Sequence, residues 1–108
     1  MTTRRSLLKA AAALPLAAAA SRATAQTAHT VTISNFAFQP ASLTISAGDS
    51  VTFVNEDSAP HTATDTGGAW DTGRLARGQS RTFTFNAAGS FNYFCAIHPS
   101  MTATLTIA

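Results

Sequence analysis

The chain of 108 residues is poor in several residue types that a protein of this length usually contains. It has one cysteine, two methionines and one lysine, and only 11% of its residues are charged. A single cysteine excludes an internal disulfide, so Cys95 is either a free thiol or bound to something else. The few charged side chains form no evident constellation for acid–base or nucleophilic catalysis, and we expect that the protein is not an enzyme.

The sequence also lacks an apolar run long enough to cross a bilayer, which takes roughly 20 residues. Residues 10–20 form an apolar run of eleven residues, which are alanines, leucines and one proline. Arg4-Arg5 precedes this run. Ala23-Thr24-Ala25 then supplies the small residues that a signal peptidase reads. We therefore predict a twin-arginine-type signal peptide over 1–25, cleavage after Ala25, export to the periplasm and no permanent membrane anchor. The alternative, an uncleaved membrane-associated helix, is disfavoured by the short run.

Positive charge is scarce beyond this segment. Four of the seven basic residues lie within 1–25, and the remaining Arg74, Arg77 and Arg81 are outnumbered by five acidic residues. The formal charge changes from +2 for the whole chain to −2 for residues 26–108. This balance argues against nucleic acid as a partner.

Long amphipathic helical periodicity is missing from residues 26–108, where apolar and polar residues alternate instead. Six short runs alternate in this way: 31–33, 43–45, 51–53, 83–85, 91–93 and 105–107. Short strands separated by glycine- and proline-containing turns predict one all-β domain, a sandwich or barrel. The segment 63–76 has little periodicity and is predicted to be a loose connection or a weak strand. The seven phenylalanines are predicted to fill the core.

The residues that could bind a metal lie mostly near the C-terminus. Cys95, His98 and Met101 place a thiolate, an imidazole and a thioether at intervals of three in a tight turn. Thiolate and thioether suit Cu(I), whereas imidazole also suits Cu(II). His61 is the candidate fourth ligand, because a sandwich would bring the end of the strand before it beside this turn. Three strong ligands with one axial methionine are typical of blue-copper sites.

Each candidate ligand also has a purely structural interpretation. Cys95 could be a small buried hydrophobe, His98 a turn residue and Met101 a gap filler. Their joint occurrence at this spacing favours the metal site. His29 lies outside the set and is predicted to be a solvated residue near the mature N-terminus, with a second, weak copper site as the alternative.

Together the segments 55–61, 70–80, 83–85 and 88–101 resemble the cupredoxin family, and within it the amicyanin and plastocyanin branch. The short loop with two residues between each pair of ligands, and with Pro99 after the histidine, is the most specific feature. The resemblance extends over nearly all of residues 26–108 and implies a Greek-key β-sandwich of about seven or eight strands. It also implies copper ligation by the four candidate ligands: His61, Cys95, His98 and Met101. Many family members have asparagine after the first ligand histidine; here Thr62 takes its place, and its hydroxyl could bond across the loops.

The resemblance further implies a one-electron carrier, expected to be a monomer, that works between periplasmic redox partners. Apolar Ala59, Pro60, Ile97 and Pro99 flank the two histidines in sequence, and they predict a docking patch for redox partners near His98. A periplasmic copper chaperone or buffer is the alternative function. An enzyme would need an open coordination position, which four protein ligands do not leave.

Overall fold

The computed structural model describes residues 26–108, so the predicted signal peptide at 1–25 lies outside the described residues. The regular secondary structure within this range consists of eight β-strands. No helix in the described part of the chain has the length and apolarity needed to cross a membrane. The predicted all-β class and strand number are therefore confirmed.

The strands form two four-stranded sheets. The first sheet has the spatial order β2 (Ala37–Gln39), β1 (Ala28–Ser34), β4 (Ser50–Asn55) and β6 (Ser80–Thr84). The second has the order β3 (Ser42–Ile45), β8 (Thr102–Ile107), β7 (Gly89–Phe94) and β5 (Thr64–Asp65). Each sheet contains one parallel pair, β1 with β4 and β3 with β8, and its other pairs are antiparallel. The architecture is the expected Greek-key β-sandwich.

The core lies between the sheets and is filled from alternate positions of the strands. Val51 and Phe53 of β4 are fully buried. The inward-pointing Leu105 and Ile107 of β8 have exposed fractions of only 1% and 2%. This period of two is the one that the sequence predicted. Trp70 stacks on Phe53 with ring centroids 5.4 Å apart and belongs to the same core cluster.

The alternating pattern does not identify two short strands. β2 has only three residues, too few for the pattern to show, although its central Phe38 is 2% exposed. β5 has two residues and lies at one edge of the second sheet, which confirms the weak-strand alternative predicted for the segment 63–76. Both elements depend on pairing with a longer neighbour, β1 and β7 respectively.

The turn between β1 and β2 consists of Asn35 and Phe36, both with positive φ, at 54° and 56°. Two-residue hairpin turns of this kind favour glycine or asparagine, since a Cβ is crowded in the left-handed region. A phenylalanine there costs roughly 1–3 kcal/mol, so other contacts must stabilise the turn. Asp57 supplies them: one carboxylate oxygen accepts the N–H of Asn35 at 2.8 Å, and the other accepts that of Phe36 at 2.9 Å.

Another carboxylate stabilises the opposite end of β1. Asp49 is buried just before β4 and accepts the N–H groups of Thr27 and Ser46 at 2.9 and 3.0 Å. The oxygen that accepts the N–H of Ser46, Oδ2, also lies 3.0 Å from Nε2 of His29, whose side chain is 22% exposed. The prediction that His29 is a solvated terminal residue is therefore wrong, because β1 pairs with β4 from its first residues and brings the imidazole onto Asp49.

Acid is expected to weaken the fold through Asp49. The N–H of Thr27 above all, then the His29 imidazole and the N–H of Ser46, lower the pKa of Asp49 to about 2 from an ordinary 3.8. A depressed folded-state pKa adds stability that is complete above about pH 4 and is lost as the pH falls toward 2.

Thermal unfolding of the metal-free protein between about pH 5 and pH 2 measures this loss. The fall in Tm should be smaller in Asp49→Asn than in the unaltered protein, and Glu56→Gln, at an exposed acid, is the matched control. An Asp49→Asn variant whose Tm falls as steeply as that of the control would contradict the assignment.

Candidate metal centre

Three side chains from two loops converge at one end of the sandwich. His61 and Cys95 are fully buried, and His98 is half-buried. The Cys95 Sγ lies 3.8 Å from Nδ1 of each histidine, and the two Nδ1 atoms are 3.2 Å apart. A triangle with these sides has a circumscribed radius of about 2.1 Å, which lies within the bond lengths that nitrogen and sulfur donors make to a first-row metal ion. The spacing thus allows one ion to be bound by all three atoms.

Met101, the fourth predicted ligand, closes the loop that carries Cys95 and His98. Its carbonyl accepts the N–H of Cys95 at 3.1 Å, and its N–H donates to the carbonyl of His98 at 2.9 Å. The side chain is 6% exposed and belongs to the core cluster. These bonds fold residues 95–101 into a compact loop, so that three of the four predicted ligands sit on one short segment.

His61 is positioned from outside this loop by a pair of backbone bonds to Leu75, at 3.1 and 2.8 Å. Asn55, the buried last residue of β4, donates from its side chain to the carbonyls of Ala59 and Leu75, each at 2.9 Å. The segment between β4 and His61 is therefore wrapped around one amide side chain. No local motif marks Asn55 as a site residue, although a polar residue that continues the buried positions of β4 is a usable signal.

Asp57 orients the His61 ring. Its Oδ2 lies 2.9 Å from Nε2 of His61. The N–H of Phe36 first, then the N–H of Asn35 and the His61 imidazole, lower the pKa of Asp57 against the opposing effect of burial, so the carboxylate is ionised at neutral pH. An ionised carboxylate only accepts hydrogen bonds, so Nε2 carries the proton and the Nδ1 lone pair points toward Cys95 and His98. Metal-binding histidines are commonly oriented in this way.

Thr62 joins the two ligand loops. Its N–H points at the Cys95 Sγ, 3.3 Å away, and its hydroxyl oxygen accepts the N–H of Ala96 at 2.8 Å. The expectation that the threonine hydroxyl bonds across the loops is confirmed. An amide N–H directed at the sulfur stabilises a thiolate, the form in which cysteine binds metals.

An aromatic ring that the sequence did not assign to the site lies over both histidines. The Phe36 ring centroid is 5.0 Å from that of His61 and 4.9 Å from that of His98, with interplanar angles of 89° and 81°. The side chain is 53% exposed, so Phe36 does not fill the core as predicted for the phenylalanines. Its position depends on the left-handed turn between β1 and β2, which no periodic pattern reveals.

The residues predicted for partner docking surround the same end of the sandwich. Ile97 and Pro99 are exposed, and Ala59 and Pro60 are half-buried. Among the described residues, Phe36 and Ile97 are the exposed large hydrophobic side chains. The apolar surface of this part of the chain is therefore concentrated near His98.

A buried cysteine sulfur and two imidazoles at these distances, at one end of a Greek-key sandwich, are the arrangement of blue-copper proteins. The thiolate selects soft or borderline ions, and the imidazoles allow both copper oxidation states, so the donor set fits copper. The model of the cupredoxin-like domain family matches residues 7–107. The chain therefore belongs to the cupredoxin-like family.

The chain is similar to several proteins of known type. It is 38% identical to the amicyanin of Paracoccus versutus over 64 residues, which cover 55% of this chain and 48% of that protein. It is 34% identical to the plastocyanin of Scenedesmus fuscus over 83 residues, which cover 65% of this chain and 85% of that protein. The chain thus spans about half the length of the amicyanin and most of that plastocyanin.

Solved structures show the same similarity. A reduced amicyanin variant has a TM-score of 0.71 and 26% identity, with 75% of this chain and 82% of the other covered. A copper-containing nitrite reductase from Thermus scotoductus SA-01 has a TM-score of 0.73 and 28% identity, but only 24% of that enzyme is covered, against 84% of this chain. The chain corresponds to one domain-sized part of the enzyme.

Replacement of Thr62 by valine should weaken the connection between the ligand loops. Valine keeps the shape of the side chain but leaves the N–H of Ala96 without its acceptor, at an expected cost of about 1 kcal/mol of unfolding free energy. Thr62→Ser keeps the hydroxyl and should lose less. Urea unfolding of the metal-free variants measures the difference, and a larger loss in Thr62→Ser than in Thr62→Val would show that the threonine methyl group, rather than the hydroxyl, stabilises this region.

Proposed function

We propose that the protein is a type 1 copper protein that carries single electrons between periplasmic redox partners. His61, Cys95 and His98 would bind the ion, with Met101 as the fourth ligand, and bound copper would supply a Cu(I)/Cu(II) couple. The observation that carries the proposal is the triangle of Cys95 Sγ and two histidine Nδ1 atoms, whose sides are 3.8, 3.8 and 3.2 Å.

Rigidity around this triangle supports electron transfer as the role of the site. Asp57 orients His61, and Thr62 joins the His61 loop to the Cys95 loop. Pro99 adds stiffness, because its ring fixes φ and it has no N–H to donate. Ligands held by bonds within the protein need to move little when the charge of the ion changes, and small rearrangement favours fast electron exchange.

The relatives support the same role. The amicyanin and the plastocyanin are similar to 55% and 65% of this chain, respectively. The nitrite reductase is similar over only 24% of its own length, and four protein ligands here would leave no coordination position open to a substrate. We therefore propose a carrier and not an enzyme.

Export and oligomeric state form part of the proposal. The paired arginines, the short apolar run and Ala23-Thr24-Ala25 support cleavage after Ala25 and a periplasmic location. With Phe36 and Ile97 as the large hydrophobic side chains exposed between residues 26 and 108, the surface suits a monomer that meets its partners transiently.

The copper–thiolate assignment is tested by the colour of the purified protein. Addition of Cu(II) should produce an intense blue absorption that ascorbate bleaches and reoxidation restores, because the band requires a Cu(II)–thiolate bond. Cys95→Ser should lack the band. A colourless protein that still binds Cu(I) tightly would contradict electron transfer and indicate a copper chaperone or buffer instead.

The docking patch is tested separately by Ile97→Glu. Ile97 is 37% exposed beside His98, so a buried interface would have to accommodate the new carboxylate without a partner charge. We expect an unchanged blue spectrum and slower electron transfer to the physiological partners. Electron transfer rates that equal those of the unaltered protein would show that partners do not dock at this surface.

A further inference from the structure

The Asp57 carboxylate accepts hydrogen bonds from three donors that belong to two different parts of the fold. Oδ1 accepts the N–H of Asn35 at 2.8 Å, and Oδ2 accepts the N–H of Phe36 and the Nε2–H of His61, each at 2.9 Å. Two of these donors lie 21 and 22 residues away in the chain, on the turn between β1 and β2, and the third is the proposed ligand. One side chain thus connects that turn to the metal centre.

Phe36 is an unusual residue for the place it occupies. Its φ of 56° is in the left-handed region, where glycine is favoured and a bulky side chain is disfavoured. The ring is 53% exposed, so burial in the core does not offset this cost. What the ring does contact is the pair of imidazoles of His61 and His98, edge-on at 5.0 and 4.9 Å. Violations of local preference of this kind tend to mark functional positions.

We propose that Asp57 is a positioning residue that holds ligand His61 and Phe36 together, with the Phe36 ring as a lid over the solvent side of the two copper-binding histidines. This inference rests on the proposed function only in that the site must bind copper. The lid excludes water and competing ligands from the imidazole rings. Asp57 holds the Phe36 ring in a constant position relative to the site, because the same carboxylate oxygen accepts hydrogen bonds from both His61 and the backbone of Phe36.

The carboxamide of asparagine cannot replace these three interactions. If its oxygen takes the place of Oδ2, its NH₂ group meets the N–H of Asn35, and two donors oppose each other. If its oxygen takes the place of Oδ1, the bonds to both Phe36 and His61 are lost. Asp57→Asn therefore releases part of the lid, the ligand or both, without changing the volume of the side chain.

The experiment measures how fast a water-soluble Cu(I) chelator removes copper from the reduced protein. Phe36→Gly should lose copper roughly two- to tenfold faster, the factor that corresponds to an aromatic edge contact. The same variant should have an unchanged or higher Tm in the metal-free form, since glycine adopts a positive φ without strain. A purely structural role for Phe36 predicts the opposite pair of results.

Coupling between the two residues is measured with a double variant. Asp57→Asn should also accelerate copper loss, and Asp57→Asn combined with Phe36→Gly should lose copper little faster than the faster single variant. The matched control is Ile97→Ala, at the other exposed large hydrophobic side chain among the described residues, and its effect should multiply with that of Asp57→Asn. Effects of Phe36→Gly and Asp57→Asn that multiply in full would overturn the proposal that they act as a unit.

Ring-proton NMR of the metal-free protein supplies a second readout, independent of copper binding and electron transfer. Ring currents from Phe36 should displace the His61 and His98 ring resonances. Phe36→Gly should remove these displacements, and Asp57→Asn should reduce them. Resonances that stay in place in the Phe36 variant would overturn the lid even if the blue copper function holds, whereas lost displacements in a protein that is never blue would leave the lid intact and reject the carrier.

Discussion

The site depends on one constraint, which is that two loops from different sheets are held within hydrogen-bonding distance at the same end of the sandwich. His61 follows β4 of the first sheet, and Cys95 follows β7 of the second. Thr62 bridges them through its N–H to the cysteine sulfur and its hydroxyl to the N–H of Ala96. Pairing of β5 with β7 connects the same two segments, because Thr64 lies opposite Phe94. Neither loop alone contains the whole triangle.

The polar side chains of Asn55, Asp57 and His61 lie at this end of an apolar sandwich, and each has a hydrogen-bond partner. Asn55 is fully buried and bonds two carbonyls and the N–H of Asp57. Asp57 in turn bonds His61, which is also fully buried. Buried polar groups cost stability unless they are hydrogen-bonded, and a fully satisfied network specifies one arrangement. The ligand geometry therefore belongs to the folded protein and does not have to be created by the metal.

Local sequence preferences predict most of the fold and fail in places that have identifiable causes. Alternation of apolar residues identifies β4, β7 and β8, because these strands have one buried side and run for six residues each. β2 and β5, with three and two residues, give no such pattern. Phe36 was expected in the core, yet its turn places it on the surface over the histidines. His29 was expected in solvent and is bonded to Asp49.

Features that are local in the chain can be predicted from the sequence alone. The spacing of Cys95, His98 and Met101 places three candidate donors on one short loop, and that loop needs no distant residue to be recognised as a metal-binding segment. The residues that support the ligands are identified by the folded structure, not by the sequence. Asp57 bonds a turn more than 20 residues away, and Thr62 reaches a sulfur 33 residues away. Such contacts exist because strand pairing brings distant segments of the chain together. That pairing depends on the packing of the whole sandwich and on no single segment of the sequence.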